Sequence, residues 1–180
     1  MKVIGFCGLP GSGKSTALEA IKDLGKTITM GDVVRNEAEK RGLEITSHNL
    51  GEIAKGLREK GGQEIIARKC VEYIRSTNFQ VVFIDGLRSI FEVQTFKEFW
   101  KFPVVAIDTP DDLRYKFLFN RGRNDDPKDK RELKERDDRE SKFGIKKVIE
   151  NAEYMIKNYS TIEDLQIKTR EIVLKIIENY

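Results

Sequence analysis

The fold is decided by the stretch Gly8-Leu9-Pro10-Gly11-Ser12-Gly13-Lys14-Ser15, which fits the pattern G-x-x-x-x-G-K-S/T in full. Glycines let the backbone curl, so that successive N–H groups point inward and form a concave cradle for anions such as phosphate. The helix that should follow adds its positive N-terminal end. In such a loop the ammonium of Lys14 reaches the β- and γ-phosphates, and the hydroxyl of Ser15 takes one position on Mg²⁺.

The sequence on either side of this loop supports the same interpretation. The apolar run Val3-Ile4-Gly5-Phe6 predicts a buried strand before it, and Leu18 and Ile21 recur at helical spacing after it. A glycine-rich turn without a ligand is the alternative, but strand, loop and helix in this order favour a nucleoside triphosphate site. We therefore predict that residues 8–15, together with Thr16, bind ATP and that Mg²⁺ accompanies the nucleotide.

Further apolar runs predict a parallel sheet. They are continuous rather than alternating, which is typical of strands buried on both faces. Helical patterns separate them, so the chain should form βαβ units with helices on both sides of the sheet. The runs are residues 3–6, 27–30, 81–84, 104–107 and 154–156. We predict one three-layer α/β domain of the P-loop kinase type, with five parallel strands in the order 2-3-1-4-5.

Composition narrows the class of protein. The 180 residues are 39% hydrophobic and 35% charged with a formal net charge of +3, which is typical of one globular domain and not of a disordered chain. No basic tail or patch indicates nucleic acid as a partner. No stretch approaches the ~20 apolar residues that a membrane span needs. We expect a cytoplasmic protein, monomeric or weakly homo-oligomeric, that works on small molecules.

Two arginines occupy corresponding places after predicted strands. Arg35 follows the run at 27–30, and Arg88 follows the run at 81–84. Open α/β sheets bind ligands at the carboxyl ends of their strands, so both guanidinium groups should face the cleft. Two arginines there could hold a second phosphate in bidentate contacts. Asp85 ends the same strand as Arg88, and we consider both a Mg²⁺ ligand acting through water and a simple strand-ending residue.

At these residues the chain resembles the adenylate kinase-like nucleoside monophosphate kinases, and especially an adenylate kinase-related archaeal family. The resemblance implies that Gly31-Asp32-x-x-Arg35 opens an acceptor-binding insertion over residues 31–78. It implies that Asp85-Gly86-x-Arg88 supplies a phosphate-binding arginine, although the segment is one residue shorter than the usual Gly-Phe-Pro-Arg. Glu92 falls where these kinases place a Gln that recognises adenine.

A highly charged segment has two interpretations. Between Arg121 and Lys142, 17 of 22 residues are charged, nine basic and eight acidic. The segment cannot lie in a core, so it is a solvated helix stabilised by i,i+4 ion pairs, a mobile flap, or both. The resemblance implies a lid over residues 121–143 that closes arginines over the triphosphate. The candidates, in order of preference, are Arg123, Arg136, Arg121 and Arg139.

The sequence therefore predicts an enzyme that transfers the γ-phosphoryl group of Mg-ATP to a small nucleotide-like acceptor, with AMP favoured. Lys14, Arg88, Arg123 and Arg136 are the predicted catalytic side chains, and Arg121 assists at the donor. A dephospho-coenzyme A kinase is the nearest alternative enzyme. A slow ATPase that serves as an assembly or regulatory switch is the alternative from another class. A small GTPase is excluded because no Asn-Lys-x-Asp motif is present.

Overall fold

The computed structural model describes residues 1–121 and 126–179, and its centre is a parallel sheet of five strands. The strands are β1 (Lys2–Cys7), β2 (Lys26–Thr29), β3 (Val81–Asp85), β4 (Val104–Asp108) and β5 (Tyr154–Lys157). The helices are α1 (Lys14–Glu19), α2 (Met30–Lys40), α3 (Ser47–Gly61), α4 (Ile65–Arg75), α5 (Ile90–Lys97), α6 (Asp111–Arg121), α7 (Lys130–Phe143), α8 (Ile145–Glu150) and α9 (Ile162–Asn179). The strand order is β2-β3-β1-β4-β5, which confirms the predicted topology.

Two apolar layers cover the sheet because successive strand residues point to opposite faces. On one face, Val3 and Val82 pack with buried residues of α2–α5 and α8. On the other face, Ile4 and Phe83 pack with α1 and α9. β1 lies in the middle, where Gly5 is paired with Ile84 of β3 and with Val104 of β4. Because β1 leads directly into the phosphate-binding motif, that loop lies at the centre of the carboxyl edge.

Three helices, α2, α3 and α4, lie between β2 and β3, in the segment for which the acceptor-binding insertion was predicted. Met30 begins α2 instead of ending β2, because its side chain is needed in the core beside Val34. Thr46 caps α3 by accepting from the backbone N–H of Asn49 at 3.2 Å. The chain therefore enters α2 directly after β2 and rejoins the sheet at β3, after α4.

The charged segment contains a real helix, α7, of 14 residues. Asp129 caps it, accepting a hydrogen bond of 2.8 Å from the backbone of Glu132, and Gly144 ends it in a left-handed conformation. Only Leu133 and Glu140 of this helix are buried. Residues 122–125, with the predicted lid residue Arg123, lie outside the described residues.

The last helix, α9, begins at Ile162, directly after its capping residue Thr161. The hydroxyl of Thr161, and not that of Ser160, accepts from a backbone N–H of the first turn, that of Asp164 at 3.2 Å. Ser160 instead bonds the carboxylate of Asp164. In the described parts of the chain, no helix has both the length and the apolar character that a bilayer span requires.

Candidate active site

The loop between β1 and α1 has the backbone shape that phosphate binding requires. Gly11 and Gly13 adopt φ values of +79° and +96°, which L side chains rarely adopt. A Cβ atom at Gly11 would lie 2.6 Å from the carbonyl oxygen of Arg114, and one at Gly13 would lie 2.7 Å from Nδ2 of Asn158. The glycines are therefore required both for the conformation of the loop and for its close packing against α6 and the segment after β5.

Three side chains from other elements hold the loop by its carbonyl groups. Thr109 and Asn158 both donate to the carbonyl of Ser12, at 2.8 and 3.1 Å. Arg114 donates to the carbonyl of Pro10 at 2.7 Å. With their carbonyls fixed in this way, the N–H groups of the loop are left to face the cleft. None of these three side chains is predictable as a site residue, because nothing in their spacing links them to a loop about 100 residues or more away.

Lys14 folds back over the loop. Its ammonium donates to the carbonyl oxygens of Gly8 and Leu9 at 2.7 and 3.3 Å. Burial lowers the pKa of Lys14, and the nearby Asp85 carboxylate opposes that shift. A partly buried ammonium held by two neutral carbonyls gains from an anionic ligand, so the loop is electrostatically suited to a phosphate.

One cleft of about 670 Å³ brings the predicted donor and acceptor groups together. The phosphate-binding loop lines it together with Arg35 of α2, the helix after β2, and Arg88, which follows the adjacent strand β3. The predicted residues that line it are Gly8, Pro10, Gly11, Ser12, Gly13, Lys14, Ser15, Thr16, Gly31, Arg35, Asp85, Gly86, Arg88, Arg121 and Arg136. The arrangement therefore places anion-binding backbone and two guanidinium groups in a single cavity.

Asp32 contributes beside this cleft and not inside it. Its carboxylate accepts from Arg35 at 2.8 Å and lines an adjoining groove with Ser15 and Asp85. Asp32 is mostly exposed, so this ion pair orients the Arg35 guanidinium more than it stabilises the fold.

The chemistry of Asp85 and Ser15 fits a magnesium ion. The Oδ1 atom of Asp85 is buried and accepts no hydrogen bond from the described residues, which leaves an anionic oxygen available for a ligand. Ser15 lines the same cleft. Among residues 1–121 and 126–179, no group of three or more His, Cys, Asp and Glu side chains could hold a metal by itself. This suits Mg²⁺, which usually binds through one or two protein oxygens together with substrate phosphates.

The arginines of the charged segment separate into two groups. Arg121 and Arg136 both line the cleft, and both contact the buried carboxylate of Asp126. Arg139 instead donates to the hydroxyl of Ser47 at 3.0 Å and packs over Gly51, where a Cβ would meet the guanidinium carbon at 3.0 Å. Arg139 therefore docks α7 on α3 and does not point at the donor site.

Arg88 is paired within the protein. Its Nε lies 2.5 Å from Oε2 of Glu140, a buried residue of α7 that also lines the cleft. The charge of Glu140 raises the pKa of Arg88. Glu140 could not be identified from the sequence, because it is one of eight acids in a segment whose composition predicts exposure to solvent.

Glu92 does not reach the cleft, contrary to the expectation that it recognises a base. It is fully buried, and its Oε1 accepts from Arg58 at 2.6 Å. Its Oε2 accepts from the backbone N–H groups of Arg88 and Ser89 at 2.7 and 3.1 Å, forming a capping box for α5. Both oxygens are occupied within the protein, so Glu92 has a structural role: it fixes the loop that carries Arg88.

The fold and the loop geometry define a P-loop protein of the kinase-like class. A family model described as an AAA domain matches residues 7–134. The structure is similar to a shikimate kinase from Acinetobacter baumannii, with a TM-score of 0.60, 16% identity, and coverage of 99% of this chain and 94% of that one. At that identity the likeness shows the fold alone.

Relatives of higher identity identify a narrower family. The chain is 41% identical over 186 residues to a UPF0200 protein of Thermococcus onnurineus, covering 99% of this chain and 100% of the relative. It is 45% identical over 184 residues to a UPF0200/UPF0201 protein of Archaeoglobus fulgidus, covering 99% of this chain. It spans 57% of the length of that second relative. The chain belongs to the UPF0200 family.

Proposed function

We propose that the protein is a nucleotide kinase that transfers the γ-phosphoryl group of Mg-ATP to the phosphate of a nucleoside monophosphate, with AMP as the favoured acceptor. The observation that carries this proposal is the shared cleft. Lys14 and the phosphate-binding loop line it together with Arg35 and Arg88. A protein that only bound a triphosphate would not need two further guanidinium groups within the same cavity.

The donor would be held by the backbone N–H groups of the loop and by the Lys14 ammonium. Ser15 and Asp85 would hold Mg²⁺, which supplies charge neutralisation between the β- and γ-phosphates when it is bound. The apolar side chains of Phe117 and Ile162 line the same cleft and suit a nucleotide base better than a phosphate.

The acceptor phosphate would be oriented by Arg35 and Arg88. One of its oxygens attacks the γ-phosphorus as the bond from that phosphorus to the β,γ-bridging oxygen breaks, so two nucleoside diphosphates result. Phosphoryl transfer of this kind needs positioning, exclusion of water and cations around the transferring group, and it needs no protein nucleophile. Arg121 and Arg136 line the cleft and would supply positive charge, while Arg123 remains the predicted third lid arginine.

The test is a turnover assay with Mg-ATP and a panel of acceptors: AMP, the other nucleoside monophosphates, and dephospho-coenzyme A. We expect ADP formation that depends on AMP and that falls roughly 10²–10⁵-fold in Arg88→Ala. Arg131→Ala, which removes an exposed arginine of α7, is the matched control and should leave the rate unchanged. Turnover only with dephospho-coenzyme A, or turnover independent of every acceptor, would reject the monophosphate kinase.

A further inference from the structure

Glu140 occupies an unusual place for an acidic residue. Its side chain is 6% exposed, and it belongs to a helix whose other acids, Asp137 apart, are exposed to solvent. Removing a carboxylate from water costs several kcal/mol unless a cation compensates it. Here the compensating cation is Arg88, at 2.5 Å. The pair forms inside the cleft, at the guanidinium that is proposed to receive the acceptor.

The pair also joins α7 to the acceptor side of the molecule. On the same helix, Arg139 bonds Ser47 and the ring of Phe143 lies 4.4 Å from the guanidinium carbon of Arg58, so α7 is docked on α3. A small cavity of about 50 Å³ remains between these helices, and Arg88 and Glu140 both line it. The contact between Glu140 and Arg88 is therefore part of the surface on which α7 rests.

We propose that Glu140 is an internal competitor of the acceptor: in the acceptor-free protein its carboxylate takes the place of the acceptor's anionic group on Arg88. This rests on the proposed function, because it assumes that Arg88 receives the acceptor. A ligand must displace Glu140 to reach this guanidinium. A monoanionic carboxylate offers Arg88 nothing that Glu140 does not, whereas a phosphate monoester carries a charge of about −1.5 to −2 at pH 7. A dianionic phosphate is therefore better able than a carboxylate to displace Glu140 from Arg88.

The internal contact lowers the apparent affinity for every acceptor. Only the fraction of molecules in which Arg88 is released can bind the ligand, and the measured dissociation constant rises in inverse proportion to that fraction. Abolishing the charge of Glu140 removes this competition. The Glu140→Gln variant should therefore bind phosphate more tightly than the natural protein, which a merely structural residue would not do when removed.

Calorimetric titration with inorganic phosphate at pH 8, without ATP, tests the proposal directly. We expect Glu140→Gln to bind phosphate roughly tenfold more tightly. We also expect formate to bind the variant more tightly by the same factor, because the competition with Glu140 is removed for every anion. Glu135→Gln changes the charge equally at an exposed site on the same helix and should leave phosphate binding unchanged. Unchanged or weaker phosphate binding in a folded Glu140→Gln protein would overturn the proposal.

A double-mutant cycle shows whether the gain acts through Arg88. In an Arg88→Ala background, the Glu140→Gln change should give no gain in phosphate affinity, and a persistent gain would contradict the mechanism. If Glu140→Gln shows no cooperative melting transition, Glu140→Asp replaces it. That variant keeps the negative charge, but its side chain is one methylene shorter and the carboxylate lies further from Arg88. It too should therefore bind phosphate more tightly than the natural protein.

The phosphate-binding experiment does not depend on turnover, so it can reject the proposal for Glu140 without rejecting the proposed kinase activity, and the reverse. Should no nucleoside monophosphate be phosphorylated while Glu140→Gln binds inorganic phosphate more tightly, the kinase assignment falls and the Glu140 assignment stands. The opposite result, AMP-dependent turnover without tighter binding in the variant, rejects Glu140 as the internal competitor. Loss of turnover in Glu140→Gln with unchanged phosphate binding would reject it as well, because that pattern belongs to a residue that acts on the reaction.

Discussion

Arg114 and Asp137 form a paired contact that joins the phosphate-binding loop to α7. Nη2 of Arg114 lies 2.5 Å from Oδ2 of Asp137, and Nη1 lies 3.1 Å from Oδ1. The same Nη1 donates to the carbonyl of Pro10 at 2.7 Å. A single buried guanidinium therefore fixes both the loop that would bind the donor and the helix that carries Arg136 and Glu140.

The first prediction concerns this junction. Asp137→Asn keeps the shape of the side chain but removes the charge that holds α7 to Arg114. We expect the KM for ATP to rise about tenfold, because charge-assisted hydrogen bonds contribute about 1.5–3 kcal/mol and the position of α7 becomes less defined. Steady-state kinetics measure the change. Asp138→Asn, one residue further along and exposed, is the control, and an equal effect of the two substitutions would contradict the junction.

The second prediction concerns the magnesium site. In Asp85→Asn the unpaired buried oxygen loses its negative charge, so we expect the Mg²⁺ concentration for half-maximal turnover to rise at least about tenfold and kcat to fall roughly 100-fold. Titration of activity with Mg²⁺ measures both. Asp108→Asn removes the equivalent acid at the end of β4, which is separated from β3 by β1, and this acid accepts from the hydroxyl of Tyr159. If the two variants show the same dependence on Mg²⁺ concentration, Asp85 does not contribute to the magnesium site.

The third prediction separates stability from recognition at Glu92. Glu92→Gln weakens a buried ion pair in which Arg58 and Glu92 are 2% and 0% exposed, and we expect a loss of about 3 kcal/mol in the free energy of unfolding. For a chain of this size that corresponds to a fall of roughly 6–12 °C in Tm. The preference among nucleoside monophosphates should not change. A changed base preference with an unchanged Tm would contradict this account and would indicate that Glu92 recognises the base. Glu98→Gln, on the exposed end of α5, is the control.

The fourth prediction concerns the two thiols. Cys7 and Cys70 are buried, and burial raises the pKa of each to about 12. At pH 8 both are protonated and shielded, so neither should react with an aromatic disulfide reagent in the native protein. Two thiols per chain should react after denaturation. Rapid labelling of native Cys7, which directly precedes the phosphate-binding loop, would contradict the burial of that strand.

The sheet could be predicted because its determinants are local. Continuous apolar runs such as residues 81–84 and 104–107 identify buried strands. The complete loop motif after the run at residues 3–6 fixes the class and hence the strand order. The presence of Arg35 and Arg88 in one cleft follows from the same rule, because both come shortly after parallel strands that share one carboxyl edge.

What could not be predicted depends on contacts between residues distant in sequence. Arg114 and Asn158 reach the loop across 104 and 146 positions, and no spacing rule connects them to it. Glu92 was misplaced because a position inherited from a resemblance does not say which way a side chain turns. A Glu three residues after Ser89 is also a capping signal, and this local signal gives the correct orientation.

The central claim is that one cleft holds two anionic ligands side by side, and a bisubstrate ligand tests it most directly. Two adenosines joined by five phosphates could occupy the donor and acceptor positions at once, and linking two ligands raises affinity far beyond that of either. Calorimetry in the presence of Mg²⁺ should give a dissociation constant at least about 100-fold lower than that of ATP, and Arg88→Ala should remove most of the advantage. Binding no tighter than ATP, or an advantage that survives Arg88→Ala, would contradict the two-site cleft.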